Sequence, residues 1–119
     1  MTSKKQRILE KTDSKEVIKS TRGANFFGLE SKGNKQIRGN GNLFLTDKCL
    51  YFKMWVLKKE IIIPLSAIEK LETPKWHIGK SKFRPLLKIF FINKSGKKDS
   101  AAWLVKDLEN WINVIKGMI

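Results

Sequence analysis

Hydrophobic and polar positions alternate with a period of two through much of the chain, most densely across residues 38–65. Leu43 and Leu45 alternate with Asn42 and Phe44, Leu50 and Phe52 with Tyr51 and Lys53, and Ile61 and Ile63 with Ile62. A two-residue period sends successive side chains to opposite faces of a strand, and β-branched and aromatic residues suit such a half-buried surface. Thr46-Asp47-Lys48 supplies a tight polar turn. Breaks this short join antiparallel neighbours, so the stretch is predicted to be a three-stranded meander.

Residues 1–19 are polar and basic, and predict a basic arm or short helix ahead of a domain spanning 20–119. Residues 24–29 read as a strand, 31–34 as a hairpin tip, and residue 36 onward as the returning arm. Gly39-Asn40-Gly41 in that arm predicts a bulge or sharp bend, with positive φ at one of the glycines. Further on, 66–73 reads as a short strand, and 74–85 as a proline-bracketed loop carrying Trp76, Phe83 and four basic residues. Residues 86–92 and 100–105 read as strands joined by a turn containing Gly96.

The period changes at 107–117. Leu108, Trp111, Ile112, Ile115 and Ile119 fall on one helical stripe, Asp107 stands as N-cap candidate, and Glu109 suits the helix dipole. So apolar a face has to be covered, and the open end of the sheet is its expected partner. The fold class is therefore mainly β with one C-terminal α-helix: about seven antiparallel strands in a half-open barrel or orthogonal sandwich, capped by the helix.

Composition narrows the function. A chain of 119 residues makes one domain that can bury a core unaided. The single cysteine, Cys49, forms no internal disulfide and sits in a strand pattern, as a buried apolar thiol would. One histidine, His77, excludes a multi-histidine metal site, and no cofactor is implied. The acidic residues form no recognisable acid–base pair, so no enzymatic activity is expected. No apolar run reaches the roughly 18 residues of a spanning helix and no signal core precedes the domain, which implies a cytoplasmic protein.

Net charge is +14. That balance favours an anionic partner, either an acidic membrane or nucleic acid, although lysine-rich composition alone also produces it. Gly79-Lys80-Ser81 lacks the first glycine and the following helix of a phosphate-binding loop. Across residues 38–43, Asn40 and Asn42 stand where an RNA-recognition strand needs aromatics.

Gly41-Asn42-Leu43-Phe44-Leu45-Thr46, then Leu50-Tyr51-Phe52, then Ile63-Pro64-Leu65 with Ile68, resembles the GRAM branch of the pleckstrin-homology-like superfamily. The chain is also similar to small prokaryotic PH-like proteins across residues 24–41. The resemblance covers residue 24 to the C-terminus and rests on framework positions. It implies a PH-like fold and lipid or protein binding without catalysis, and carries over no phosphoinositide site. In such folds the first, third and sixth inter-strand connections gather at one end. Here they would bring together Lys32 and Lys35, Lys58 and Lys59, and Lys94, Lys97 and Lys98. Trp55 and Leu57, at the third connection, would add an apolar tip beside these lysines. The expected function is docking on an anionic membrane surface or lipid head groups, peripherally at the membrane. The alternatives are a protein-interaction or homo-oligomerisation module and, behind these, a nucleic-acid binder.

Overall fold

The computed structural model describes residues 4–33, 36, 38–57, 59–81 and 83–119. A first helix, α1 (Lys4–Lys11), is followed by β1 (Val17–Leu29), a 3-10 turn (Glu30–Lys32), β2 (Gly39–Thr46), β3 (Cys49–Met54) and β4 (Glu60–Pro64). After a second 3-10 turn (Leu65–Ala67) come β5 (Ile68–Glu72), the short β6 (Trp76–His77) and β7 (Lys80–Ser81), β8 (Leu87–Ile92), β9 (Lys98–Leu104) and α2 (Leu108–Lys116). Seven strands form one antiparallel sheet in the order β4-β3-β2-β1-β9-β8-β5, while β6 and β7 pair separately. The sheet does not close on itself, and the C-terminal helix packs against its core-facing side. This is the mainly β, helix-capped architecture expected from the alternation.

The first strand is the spine. It is 13 residues long, pairing β2 from Val17 to Phe26 and β9 from Asn25 to Leu29. Of the three register shifts along it, one falls at its start between Val17 and Lys19, and the other two let it bend between these partners, one between Arg22 and Ala24 and one between Phe26 and Gly28. The shift between Arg22 and Ala24 leaves Gly23 as the extra residue at φ +88°, a backbone geometry that costs glycine little. The bend anticipated at Gly39-Asn40-Gly41 therefore lies across the ladder, on β1. Positive φ occurs at neither Gly39 nor Gly41, because a bulge places its extra residue on one strand only.

Alternation then divides the two faces. Ala24, Phe26, Leu43, Leu45, Leu50, Phe52, Ile61, Ile63, Leu87, Ile89 and Trp103 fill the main core together with Trp111 and Ile115 of α2. Phe26, Phe52 and Trp103 pack with ring centres 5.3–5.7 Å apart. Leu108 and Ile112 are half-buried beside them, as the helical stripe predicts. Ile119 departs from it: the helix ends at Lys116, so the stripe's period no longer applies and the side chain is half exposed. Asp107 makes no side-chain capping bond. Its carboxylate pairs instead with Lys19, whose ammonium lies 5.2 Å from the centre of the Trp111 ring.

The outer face is partly clothed. Ile8 of α1 is buried against Cys49 and Tyr51, with Phe44 alongside. The N-terminal segment thus belongs to the packed structure, and β1 begins at Val17, ahead of the expected domain start at residue 20. Cys49 is a buried free thiol. Farther along the same face Phe27, Leu86 and Ala102 form a third apolar cluster.

Candidate functional site

Antiparallel order brings three connections to one end of the sheet. The β1–β2 and β3–β4 links share an end because the intervening β2–β3 turn lies at the other. The β8–β9 turn joins them because the antiparallel ladder runs from Asn25–Leu104 to Leu29–Ala101, which puts the start of β9 beyond the end of β1. Side chains lock the junction: Asp99 accepts from the Ser31 backbone N–H at 2.9 Å and from the Ser31 hydroxyl at 2.7 Å. The Ser100 hydroxyl donates to Glu30 at 2.6 Å. Both carboxylates at this junction are thus engaged within the protein.

Five of the expected lysines are seen here. Lys32, Lys94, Lys97 and Lys98 are exposed, and Lys59 is half-buried with its ammonium 5.4 Å from the centre of the Phe26 ring. None of the five belongs to an ion pair found among the described residues. Lys35 and Lys58, assigned to the same end, lie outside the described residues.

The β3–β4 turn carries apolar side chains into solvent. Trp55 is 49% exposed, Val56 84% and Leu57 51%. The backbone N–H of Trp55 donates to the Asn40 carbonyl at 3.0 Å, and its indole N–H to the Asn42 side-chain oxygen at 2.9 Å. Asn42 neighbours the core residue Leu43, so alternation turns it outward. Trp55 therefore lies back along the outer face, with the Arg22 guanidinium 5.7 Å from its ring centre. It is fixed yet half open to solvent. Val56 and Leu57 form the free tip.

Residues 74–85, which the sequence predicts as a loop, carry a second apolar feature. Within that span β6 and β7 make a small hairpin whose turn residues Ile78 and Gly79 sit at φ +53° and +72°. His77 is buried, its Nε2 2.8 Å from the Gly28 carbonyl oxygen, which fastens the hairpin to β1. The Trp76 and Phe83 rings meet edge to face at 6.2 Å. Two-residue strands carry no period to detect, and the contact between His77 and Gly28 joins residues far apart in sequence, so neither leaves a pattern in the sequence.

Elsewhere on the outer face, a cleft of about 490 Å³ is lined by Arg7, Ile8, Lys11, Phe44, Tyr51 and Lys53. Glu60 is hydrogen-bonded to Tyr51 and paired with Lys11, two of the lining residues. The Lys11 hydrogen bond, chiefly, holds the Glu60 carboxyl below its ordinary range, while burial, with help from Glu60, pushes the Tyr51 phenol up. Among the described residues no three His, Cys, Asp or Glu side chains come together as a metal site. No helix of the described residues is long and apolar enough to cross a membrane.

No family model and no curated protein matches the chain. Solved structures do. A chain of the 8S snRNP assembly intermediate aligns with a TM-score of 0.61 at 13% identity, covering 86% of this chain and 78% of that one. The C-terminal domain of an unknown protein from Leishmania infantum aligns at 0.63 and 12% identity, covering 94% and 91%. Similarity at this identity establishes a shared fold.

Proposed function

We propose that this chain is a non-catalytic module of the GRAM/PH-like type that docks peripherally on an anionic membrane surface from the cytoplasm. The observation that carries the reading is the β3–β4 tip, where Trp55, Val56 and Leu57 are exposed at the same end as Lys32, Lys59, Lys94, Lys97 and Lys98. A turn facing water has no need of a tryptophan and two aliphatics. Tryptophan favours the head-group region, and each nearby lysine adds about 1 kcal/mol of attraction to acidic lipid. Insertion of the tip with lysines around it uses both features at once.

Flotation with neutral and acidic vesicles across a salt series, with single-stranded and duplex DNA as competitors, tests the proposal. Binding should need acidic lipid and weaken with salt. Val56→Glu combined with Leu57→Glu should abolish it while leaving the melting temperature unchanged. Undiminished binding by that variant would remove the tip from the docking site, and stronger competition by DNA than by lipid would favour the nucleic-acid reading.

A second reading rests on the open sheet. The edge strand β4 turns Glu60, Ile62 and Pro64 outward in alternation, a surface to which another strand can add. It calls for a protein partner, or a second copy, and predicts that Ile62→Lys weakens association without affecting vesicle binding.

A further inference from the structure

Besides the β3–β4 tip, the outer face carries a second exposed aromatic group. Trp76 is 58% exposed and Phe83 79%, and they touch each other. Lys75 and Arg84, next to them in the chain, are exposed, and residues 74–85 contain no acidic residue. The backbone is also held in unusual geometry to present them. Ile78 and Phe83 both have φ above +50°, which L side chains, β-branched and bulky ones especially, rarely adopt. The buried bond between His77 and Gly28 makes this hairpin a fixed projection of the sheet.

We propose that the Trp76–Phe83 pair is a second membrane anchor, and that the outer face of β1, between this pair and Trp55, is turned toward the bilayer. The inference rests on the docking function proposed above and adds to it a second contact and a defined orientation. Trp55 lies 3.9 Å from the place a β-carbon would occupy on Gly23, and the hairpin is tied to Gly28. These anchor points on β1 are about 16 Å apart at ~3.3 Å per residue. Two such contacts remove the freedom to roll that a single inserted tip leaves. Between them the face shows Arg22 over Trp55 and Arg38 over Phe27, guanidinium groups suited to lipid phosphates. Lipid fits the pair better than nucleic acid does. The two rings stand at 76° to one another, which leaves no parallel slot for a base.

Tryptophan fluorescence separates the two contacts. Of four tryptophans, Trp103 and Trp111 are fully buried. Trp55→Phe therefore leaves Trp76 as the exposed reporter, and Trp76→Phe leaves Trp55. Each variant is mixed with acidic phosphatidylserine-containing vesicles whose acyl chains carry bromine. Quenching of Trp76 is expected in the first variant and of Trp55 in the second, and Trp76→Asp with Phe83→Asp should weaken vesicle partitioning by about tenfold or more. Retained binding with Trp55 quenched and Trp76 unquenched would overturn the second anchor and leave the docking function standing. Quenching of Trp76 alone would keep the anchor and displace the tip, whereas absence of vesicle binding would sink both. Sedimentation supplies the remaining check: self-association abolished by Phe83→Asp would assign the pair to a second copy of the chain and overturn the proposal.

Discussion

Gly41 and Phe52 approach so closely that a β-carbon on Gly41 would stand 2.6 Å from Cζ of the Phe52 ring, with the Lys53 carbonyl oxygen closer still. Gly41 is thus required for space, not for its torsion angles. Gly41→Ala should destabilise the protein by on the order of 3 kcal/mol, since neither a core ring nor a ladder carbonyl can move aside. Thermal melting checks this, with a drop of more than about 10 °C expected. Gly33→Ala serves as a contrast of mechanism: it meets open space and is opposed only by its backbone, at φ +74° and ψ −174°, so its cost of about 1–3 kcal/mol should come from torsional strain alone.

Trp111 is fully buried where α2 crosses the core. Trp111→Ala removes the largest side chain of that contact, and a loss of about 3–5 kcal/mol is expected. Chemical denaturation measures it, and a loss below about 1 kcal/mol would mean the helix does not cap the core.

Thr46 ties the β2–β3 turn to the segment entering β1. Its hydroxyl oxygen is 2.8 Å from the Ser14 hydroxyl and accepts from the backbone N–H groups of Cys49 at 3.0 Å and Lys48 at 3.2 Å. Thr46→Val keeps the shape and strands those donors, so a cost of about 1–3 kcal/mol is expected by denaturant titration. Thr46→Ser should recover most of it.

Acid should loosen the fold gradually. Three carboxyls lie below their ordinary range: Asp47 through the Glu16 backbone N–H, Glu60 through Lys11, and Asp107 through Lys19. A carboxyl whose pKa is lowered by folding adds stability above its unfolded value, and that contribution disappears as pH falls through the folded value. Melting temperature should therefore stay level from neutral pH to about 5 and decline below about 4. Glu60→Gln should shallow the decline. Each group is largely exposed, so solvent screening keeps the individual effects small.

The meander was legible because its side chains alternate cleanly: Leu43, Leu45, Leu50 and Phe52 went to the core as the period required. The placing of Lys32, Lys59, Lys94, Lys97 and Lys98 on connections at one end comes from the resemblance to PH-like folds, not from the alternation itself, and Lys35 and Lys58 of the same set lie outside the described residues. What the sequence concealed depends on pairing between distant residues. The glycines at 39 and 41 predict a bulge on β2, yet only the register between β1 and β2 shows that the extra residue is Gly23. Asp107 has the chemistry of a cap but finds Lys19 nearer to hand, 88 residues away. The β6–β7 hairpin is held by one histidine on a carbonyl across the sheet, a contact without periodic trace.

Because β1 pairs with β9, the spine of the sheet waits for the last strand to be made. Phe26 lies opposite Trp103 in the finished ladder, and until the ribosome has released that tryptophan the end of β1 from Asn25 to Leu29 is an unpaired edge. The nascent β1–β4 meander can assemble early, but it must persist with half its core uncovered while residues 65–97 are synthesised. That interval is when a growing chain is most exposed to pairing with a neighbour's edge. The slow step in its biogenesis should be the docking of β9 onto β1, a closure over about eighty residues of chain.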